Sequence, residues 1–401
     1  MKAKQNAILI TILLMLVVVI LAACQPTTVG TGESVNQSVE KTMAALPTLT
    51  PFPTLTTPTV TPTEAPVMYG PSDFPADINP LTGLKVSDPS MMNRRPVMIK
   101  VSNFPREGRP HAGLSKADIV FDYSVGEGGD RYLAVFYSQD SDNVGPVRSG
   151  RLVDRWLVSM YQGILGMKLA YIDVLNKIND QLGYARVINA SYKSCPAICQ
   201  FDYKPSAISW FANSAEMTKY YLNESGEDSF KPNLDGMTFN SIPPTGGVDG
   251  HEFTMHFGHA NEGQWIYDPT TNKYNRWIEN ILDPVTEAYN MIPLVDRNTN
   301  EQLAFSNVIV IFATYETLTK YDTIHEVHLV GTSGKMMLFR NGMMYEGTWK
   351  STRPDVPLQF FDDKGNHLDL QPGTTWINIT GYYSKVDQIS PGVWYVSFAK
   401  P

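Results

Sequence analysis

"ADIVFDYSVGEGGDRYLAVFYS", residues 117–138, sets two apolar runs on either side of the glycine-rich "GEGGD". Both runs are rich in β-branched and aromatic residues, and glycine accepts the positive φ of a tight turn. The stretch predicts two strands joined by a short turn. Upstream, "PVMIKVSN" (96–103) reads as a buried strand leading into the loop "FPREGRP". Downstream, "VGPVRSGR" (144–151) runs into a segment where Leu152, Trp156 and Met160 recur at i, i+4 and i+8. Val153 and Leu157 fill the adjoining stripe, so a helix with one buried face is expected from about Ser149. A further helix is expected from Ser206 to Leu222. Alternating strands and helices predict a mixed α/β domain over residues 69–245.

The second half of the chain changes character. "FTMHF", "QWIYD", "YNRWI", "NVIVIFATY" and "HEVHLV" are short strand-like runs, and "TTWINIT" and "VWYVSF" follow them. "KMMLFRNGMMYEGTWK" (335–350) is the plainest hairpin, because Asn341 and Gly342 both tolerate positive φ. "IPPTGG" reads as the linker before a β-rich domain over 246–401. The fold class expected is α+β, a mixed α/β N-terminal domain followed by a β-rich C-terminal one.

The N-terminus speaks to location. Lys2 and Lys4 precede an apolar run that ends in "LAAC" at Cys24, the layout of a secretory signal over residues 1–23. "Leu-Ala-Ala-Cys" resembles the lipobox of bacterial lipoproteins. The resemblance implies cleavage before Cys24, diacylation of its thiol and a chain held at the extracytoplasmic face of the membrane. Residues 24–68 contain "LPTLTPFPTLTTPTVTPTEAP", a Thr/Pro-rich spacer that favours extended polyproline geometry.

A formal net charge of -8 argues against nucleic acid as a partner and against a polybasic grip on anionic lipid. With Cys24 set aside, Cys195 and Cys199 remain, in "SCPAIC". Outside the cytoplasm such a pair most simply forms a disulfide; free thiols or a redox role are the alternatives.

"NPLTGL" (79–84), "GRPHAGLSKADIV" (108–120), "GEGGDRYLAVF" (126–136) and "GPVRSGR" (145–151) resemble the YerB-like lipoproteins, the domain of unknown function 3048 family. "YNRW", "NVIV", "LFRNGMMYEGTWK" and "PGTTWI" resemble that family's separate C-terminal domain. The resemblance implies an envelope lipoprotein with two domains and supplies no reaction. Family members carry a histidine-containing, small-residue stretch where this chain reads "GILGMKLAYIDVLNKI".

The arginines pose the chemical question. With Ser149 as the helix cap, Arg148, Arg151 and Arg155 cluster at a helix end that already carries partial positive charge. Either Glu127, Asp130 or Asp154 neutralises them internally, or an anionic ligand binds there. The candidate anion site is Glu127, Asp130, Arg131, Arg148, Ser149 and Arg151. His251 and His256, like His325 and His328, are separated by an odd step, so each pair diverges on a strand and no zinc site is expected. No Walker loop, dinucleotide fingerprint or G-x-S-x-G elbow is present, so no cofactor is called for. Trp265, Trp277, Trp349 and Trp376 suit either sugar stacking or a core. The reading preferred is a binding or scaffolding lipoprotein that engages an envelope protein or an anionic wall polymer. The alternative is a hydrolase or transferase acting on peptidoglycan-like substrates, with Glu127 and Asp130 as its acid and base.

Overall fold

Two strands cross the stretch quoted above, and they sit at the middle of the largest sheet. The computed structural model describes residues 66–201, 205–258, 261–282, 289–319 and 324–401. The signal segment, Cys24 and the Thr/Pro-rich spacer lie outside the described residues. In the first half the strands are β1 (Val97–Ser102), β2 (Ile119–Gly126), β3 (Gly129–Phe136), β4 (Ile164–Met167) and β5 (Val187–Asn189). The second half adds β6 (Glu252–Gly258), β7 (Asn261–Asp268), β8 (Lys273–Leu282), β9 (Tyr289–Pro293), β10 (Asn307–Thr317) and β11 (Thr332–Arg340). It closes with β12 (Met343–Ser351), β13 (Thr375–Gly381), β14 (Lys385–Ser390) and β15 (Val393–Ser397). The α-helices among the described residues are α1 (Leu152–Met160), α2 (Ile172–Leu182) and α3 (Ser214–Ser225).

Strand pairing runs across the middle of the chain. The larger sheet has the order β12-β11-β10-β13-β2-β3-β1-β4-β5. β13 pairs parallel with β10 on one side and with β2 on the other, Thr375 lying opposite both Asn307 and Ile119. The smaller sheet has the order β9-β8-β7-β6-β15-β14.

Because side chains alternate along a strand, the large sheet divides its residues between two cores. Met98, Phe121, Tyr123, Leu133 and Val135 face α1 and α2, along with Ile309, Ile311 and Leu338. Val97, Ile99, Val101, Val120, Tyr132 and Ala134 face the smaller sheet and α3, against Phe253, Met255, Trp265 and Met217. Both cores lie wholly within the described residues, downstream of the spacer.

This architecture corrects the expected fold class. The N-terminal half is not a mixed α/β domain: the protein is β-rich throughout, and its sheet is completed by strands of the second half. A mixed α/β domain would take its parallel neighbours from successive β-α-β crossovers. Only β4, α2 and β5 are arranged that way, and β2 takes its parallel neighbour from the far end of the chain.

Two helix boundaries also move. α1 begins at Leu152 rather than near Ser149. Arg148 N–H donates to the Lys100 carbonyl at 2.9 Å and Gly150 N–H to the Leu169 carbonyl at 2.9 Å, which keeps residues 148–150 extended between two neighbours. α1 is also buried nearly all round, since the short strand His325–His328 packs beside it as a second wall. The helix expected from Ser206 to Leu222 is a 3-10 turn (Ser206–Ile208), a strand (Trp210–Ala212) and then α3. The strand pairs with Ile198–Gln200, and Asn213 caps α3 by accepting from Glu216 N–H at 3.1 Å. Cys195 and Cys199 form a disulfide, Cys199 lying on that partner strand. The turns follow their sequences: φ is 52° and 73° at Glu127 and Gly128, and 53° and 74° at Asn341 and Gly342.

Candidate anion-binding site

Strand alternation decides which of the expected site residues meet. Asp130 and Arg131 are neighbours on β3, so they leave it on opposite faces. Arg131 lies opposite Tyr123 on β2 and Ser102 on β1. Asp130 lies opposite Ser124, on the face shared by Asp122 and Tyr132.

The helix-facing side gathers cations. Lys100 is fully buried, with Nζ 3.4 Å from Asp154 Oδ1 and in contact with the Tyr123 hydroxyl. Tyr123 donates its hydroxyl to the same carboxylate oxygen, while Arg151 N–H donates to Asp154 Oδ2 at 2.6 Å. Asp154 thus spends both oxygens at the start of α1. Arg131 Nη1 donates to the Ser149 carbonyl at 2.8 Å, and Arg151 Nη1 to the Gly150 carbonyl at 3.0 Å. These acceptors are neutral. Nε of Arg148 and Nε of Arg151 are buried and meet no acceptor. Lys168 follows on the loop after β4, with its N–H bonded to the Arg148 carbonyl at 2.9 Å and its ammonium 5.4 Å from the Trp210 ring centre.

The cations disturb one another. Burial, then Arg151 and Arg148, push the Arg131 guanidinium down to about 9. Burial also lowers Lys100, to about 7: Asp154 opposes the fall, and Arg131 and Arg151 add to it. Lys168 is lowered by burial and then by Arg148. Lysine can relieve such crowding by giving up its proton, whereas arginine keeps its own, so an incoming anion would relax the guanidiniums.

Of the residues expected at this site, Arg131, Arg148, Ser149 and Arg151 come together. Ser149 contributes its carbonyl, and the cap of α1 is Arg151, whose N–H is held by Asp154. Glu127 stands exposed in the turn between β2 and β3. Arg155 is drawn away to Glu326, at 2.7 Å, over the Trp156 ring. Lys100 and Lys168 were missed. A lysine inside an apolar strand, as in "PVMIKVSN", was the available signal for the first.

Asp130 belongs to a network on the opposite face. Its Oδ1 accepts from Asn103 Nδ2 at 2.7 Å, Asn103 Oδ1 accepts from Arg109 Nε at 3.0 Å, and Arg109 Nη2 reaches Glu279 Oε1 at 2.9 Å. This chain of bonds ties the loop after β1 to β8. Asp122, fully buried beside it, is held well above the usual carboxylate range by burial and by Asp130. His111, also fully buried and 3.0 Å from the Ser102 carbonyl, is lowered to about 3 by burial and then Arg109. Trp265, Trp349 and Trp376 are fully buried core residues, and Trp277 is half-buried. Among the described residues no group of histidine, cysteine and carboxylate side chains is arranged to hold a metal. No helix among them is long and apolar enough to cross a membrane.

Residues 81–221 match the family described as "Protein of unknown function (DUF3048) N-terminal domain", and residues 253–377 match its C-terminal domain. The chain is 27% identical over 314 residues to "Putative lipoprotein YerB" of Bacillus subtilis (strain 168), covering 75% of this chain and 85% of that protein. The crystal structure of YerB protein from Bacillus subtilis superposes with a TM-score of 0.61 at 26% identity, over 76% of this chain and 96% of that one.

Proposed function

We propose, from the premise that this chain belongs to the DUF3048 protein family, that it is a lipid-anchored envelope protein that binds an anionic group with Arg131, Arg148 and Arg151. One observation carries the reading. Lys100, Arg131 and Arg151 share a single carboxylate, Asp154, whose oxygens are already taken by Lys100, Tyr123 and Arg151 N–H, and Arg148 lies close enough to Arg131 and Arg151 to repel both. A phosphate or carboxylate supplies the missing charge and accepts from the guanidinium edges. The lipobox at Cys24 and the relative's name both support membrane attachment, two acyl chains being enough for stable anchoring. An anionic wall polymer or an acidic face of an envelope protein is the partner class that fits.

Binding is preferred to hydrolysis because Asp130 leaves β3 on the face away from the arginines and is held by Asn103. Glu127 is exposed in the turn, whereas Asp130 is buried.

Arg148→Met tests the reading. A residue kept for stability costs stability when removed. Arg148 instead lowers Arg131, Lys168 and Arg151 by repulsion, so the variant's ligand-free stability is expected unchanged or raised by up to about 1 kcal/mol. In wild type, inorganic phosphate at about 100-fold over its Kd should add about 2.7 kcal/mol. That gain should shrink in Arg148→Met and vanish in Arg148→Met/Arg151→Met. Loss of ligand-free stability with an undiminished phosphate gain would overturn the assignment. For the anchor, Cys24→Ser should remove the diacylglyceryl mass from the purified chain, and a serine variant that retains it would refute lipidation.

A further inference from the structure

Exposed apolar side chains follow directly on the cation cluster. Two backbone bonds, Lys168 N–H to the Arg148 carbonyl and Gly150 N–H to the Leu169 carbonyl, splice the loop after β4 onto the arginine segment. Leu169 and Tyr171 on that loop, and Ile172 at the start of α2, are 54%, 58% and 66% exposed. Tyr171 is close enough to Arg151 to bear on its charge, so the strip begins where the guanidiniums end. Leu169 takes φ 56°, a left-handed conformation unfavourable for a leucine. The chain accepts that cost while leaving the side chain in water, which is the reverse of what folding alone selects.

Resting on the anion-site reading above, we infer that the ligand is an amphiphile, a phosphate-headed lipid whose head meets Arg148 and Arg151 and whose chain lies along Leu169, Tyr171 and Ile172. Charge complementarity selects the phosphate, and continuity of the strip with the cations selects the tail. A polar wall polymer leaves the strip bare. A tyrosine beside two aliphatic residues is also the composition of a surface that meets lipid at the headgroup level.

The test is a calorimetric titration of residues 25–401, which retain every residue of both cores, with inorganic phosphate and with methyl, butyl and octyl phosphate below their micelle-forming concentrations. A methylene buried completely is worth about 0.8 kcal/mol, a factor of about four; a strip that covers one side of the chain should give about twofold per methylene. Wild-type affinity should therefore climb with chain length. In Leu169→Gly/Ile172→Gln the climb should disappear while inorganic phosphate binds as before, glycine being at ease at this φ. Binding of inorganic phosphate with no dependence on chain length overturns the lipid inference and leaves the anion site standing, as expected for a polymer phosphate. Absence of phosphate binding altogether overturns both.

Discussion

Asp154→Asn removes the one carboxylate at the start of α1 and keeps its shape. Two losses follow, and they differ in their dependence on pH. Tyr123 and Arg151 N–H lose a charged acceptor, which costs about 1.5–3 kcal/mol and varies little with pH. Lys100 loses the partner 3.4 Å away that keeps it protonated against burial, Arg131 and Arg151. In the wild type Lys100 titrates at about 7, so near pH 7 it is already half-discharged and the variant adds less than about 0.5 kcal/mol. Below that pH the two proteins part. Folded wild type and both unfolded chains hold the proton, whereas the folded variant does not. Its stability relative to wild type therefore falls as pH drops below about 7, by at most about 1.4 kcal/mol per pH unit. Urea unfolding of both proteins at several pH values, at equal denaturant slope, reads the difference directly. Adding Lys100→Met should erase the pH-dependent part and leave the constant part. A penalty equal near pH 5 and pH 8, or below about 1 kcal/mol at both, would refute the buried pairing of Lys100 with Asp154.

Gly342→Val should destabilise the fold by about 2 kcal/mol or more, because φ is 74° there and a Cβ would stand 2.9 Å from the Tyr267 ring; an unchanged thermal midpoint refutes the turn assignment. His111 is lowered in the folded state, so it stays neutral while the unfolded chain gains a proton. Its share of stability is lost as pH falls from 6.5 toward about 3, and His111→Phe should flatten that limb of the urea-stability profile. Asp122 is raised, so it stays protonated while the unfolded chain ionises. Stability should decline as pH rises above the ordinary value of 3.8, and Asp122→Asn should abolish the decline. A profile identical in the variant and the wild type would remove Asp122 from that role.

The sequence showed local structure better than it showed partnership. Both hairpins were legible, since the glycine-rich "GEGGD" and Asn341-Gly342 mark turns between apolar runs. The sheet that joins them was not. Nothing local in "TTWINIT" says that it lies beside "ADIVFDY" rather than within a separate second-half sheet, because parallel pairing leaves no turn signal. α1 was found, but its start was misplaced: Ser149 is a good cap by type, and the backbone bonds that hold 148–150 extended come from residues distant in sequence. The arginines were legible as an electrostatic conflict. Their counter-charge was one candidate among several carboxylates, and only alternation on β3 separates Asp130 from Arg131. Lys168 was hidden because the loop that carries it reads as an ordinary apolar-to-helix junction.

The central claim is that Arg131, Arg148 and Arg151 share one anion. Tungstate has the charge and shape of phosphate, and its tungsten scatters anomalously. In crystals of residues 25–401 grown with tungstate, the account predicts an anomalous peak within hydrogen-bond distance of the Arg148 and Arg151 guanidiniums, absent in the Arg148→Met/Arg151→Met variant. Tungstate peaks only at other sites, with the three guanidiniums bonded to protein carboxylates or to one another's backbone, would contradict it.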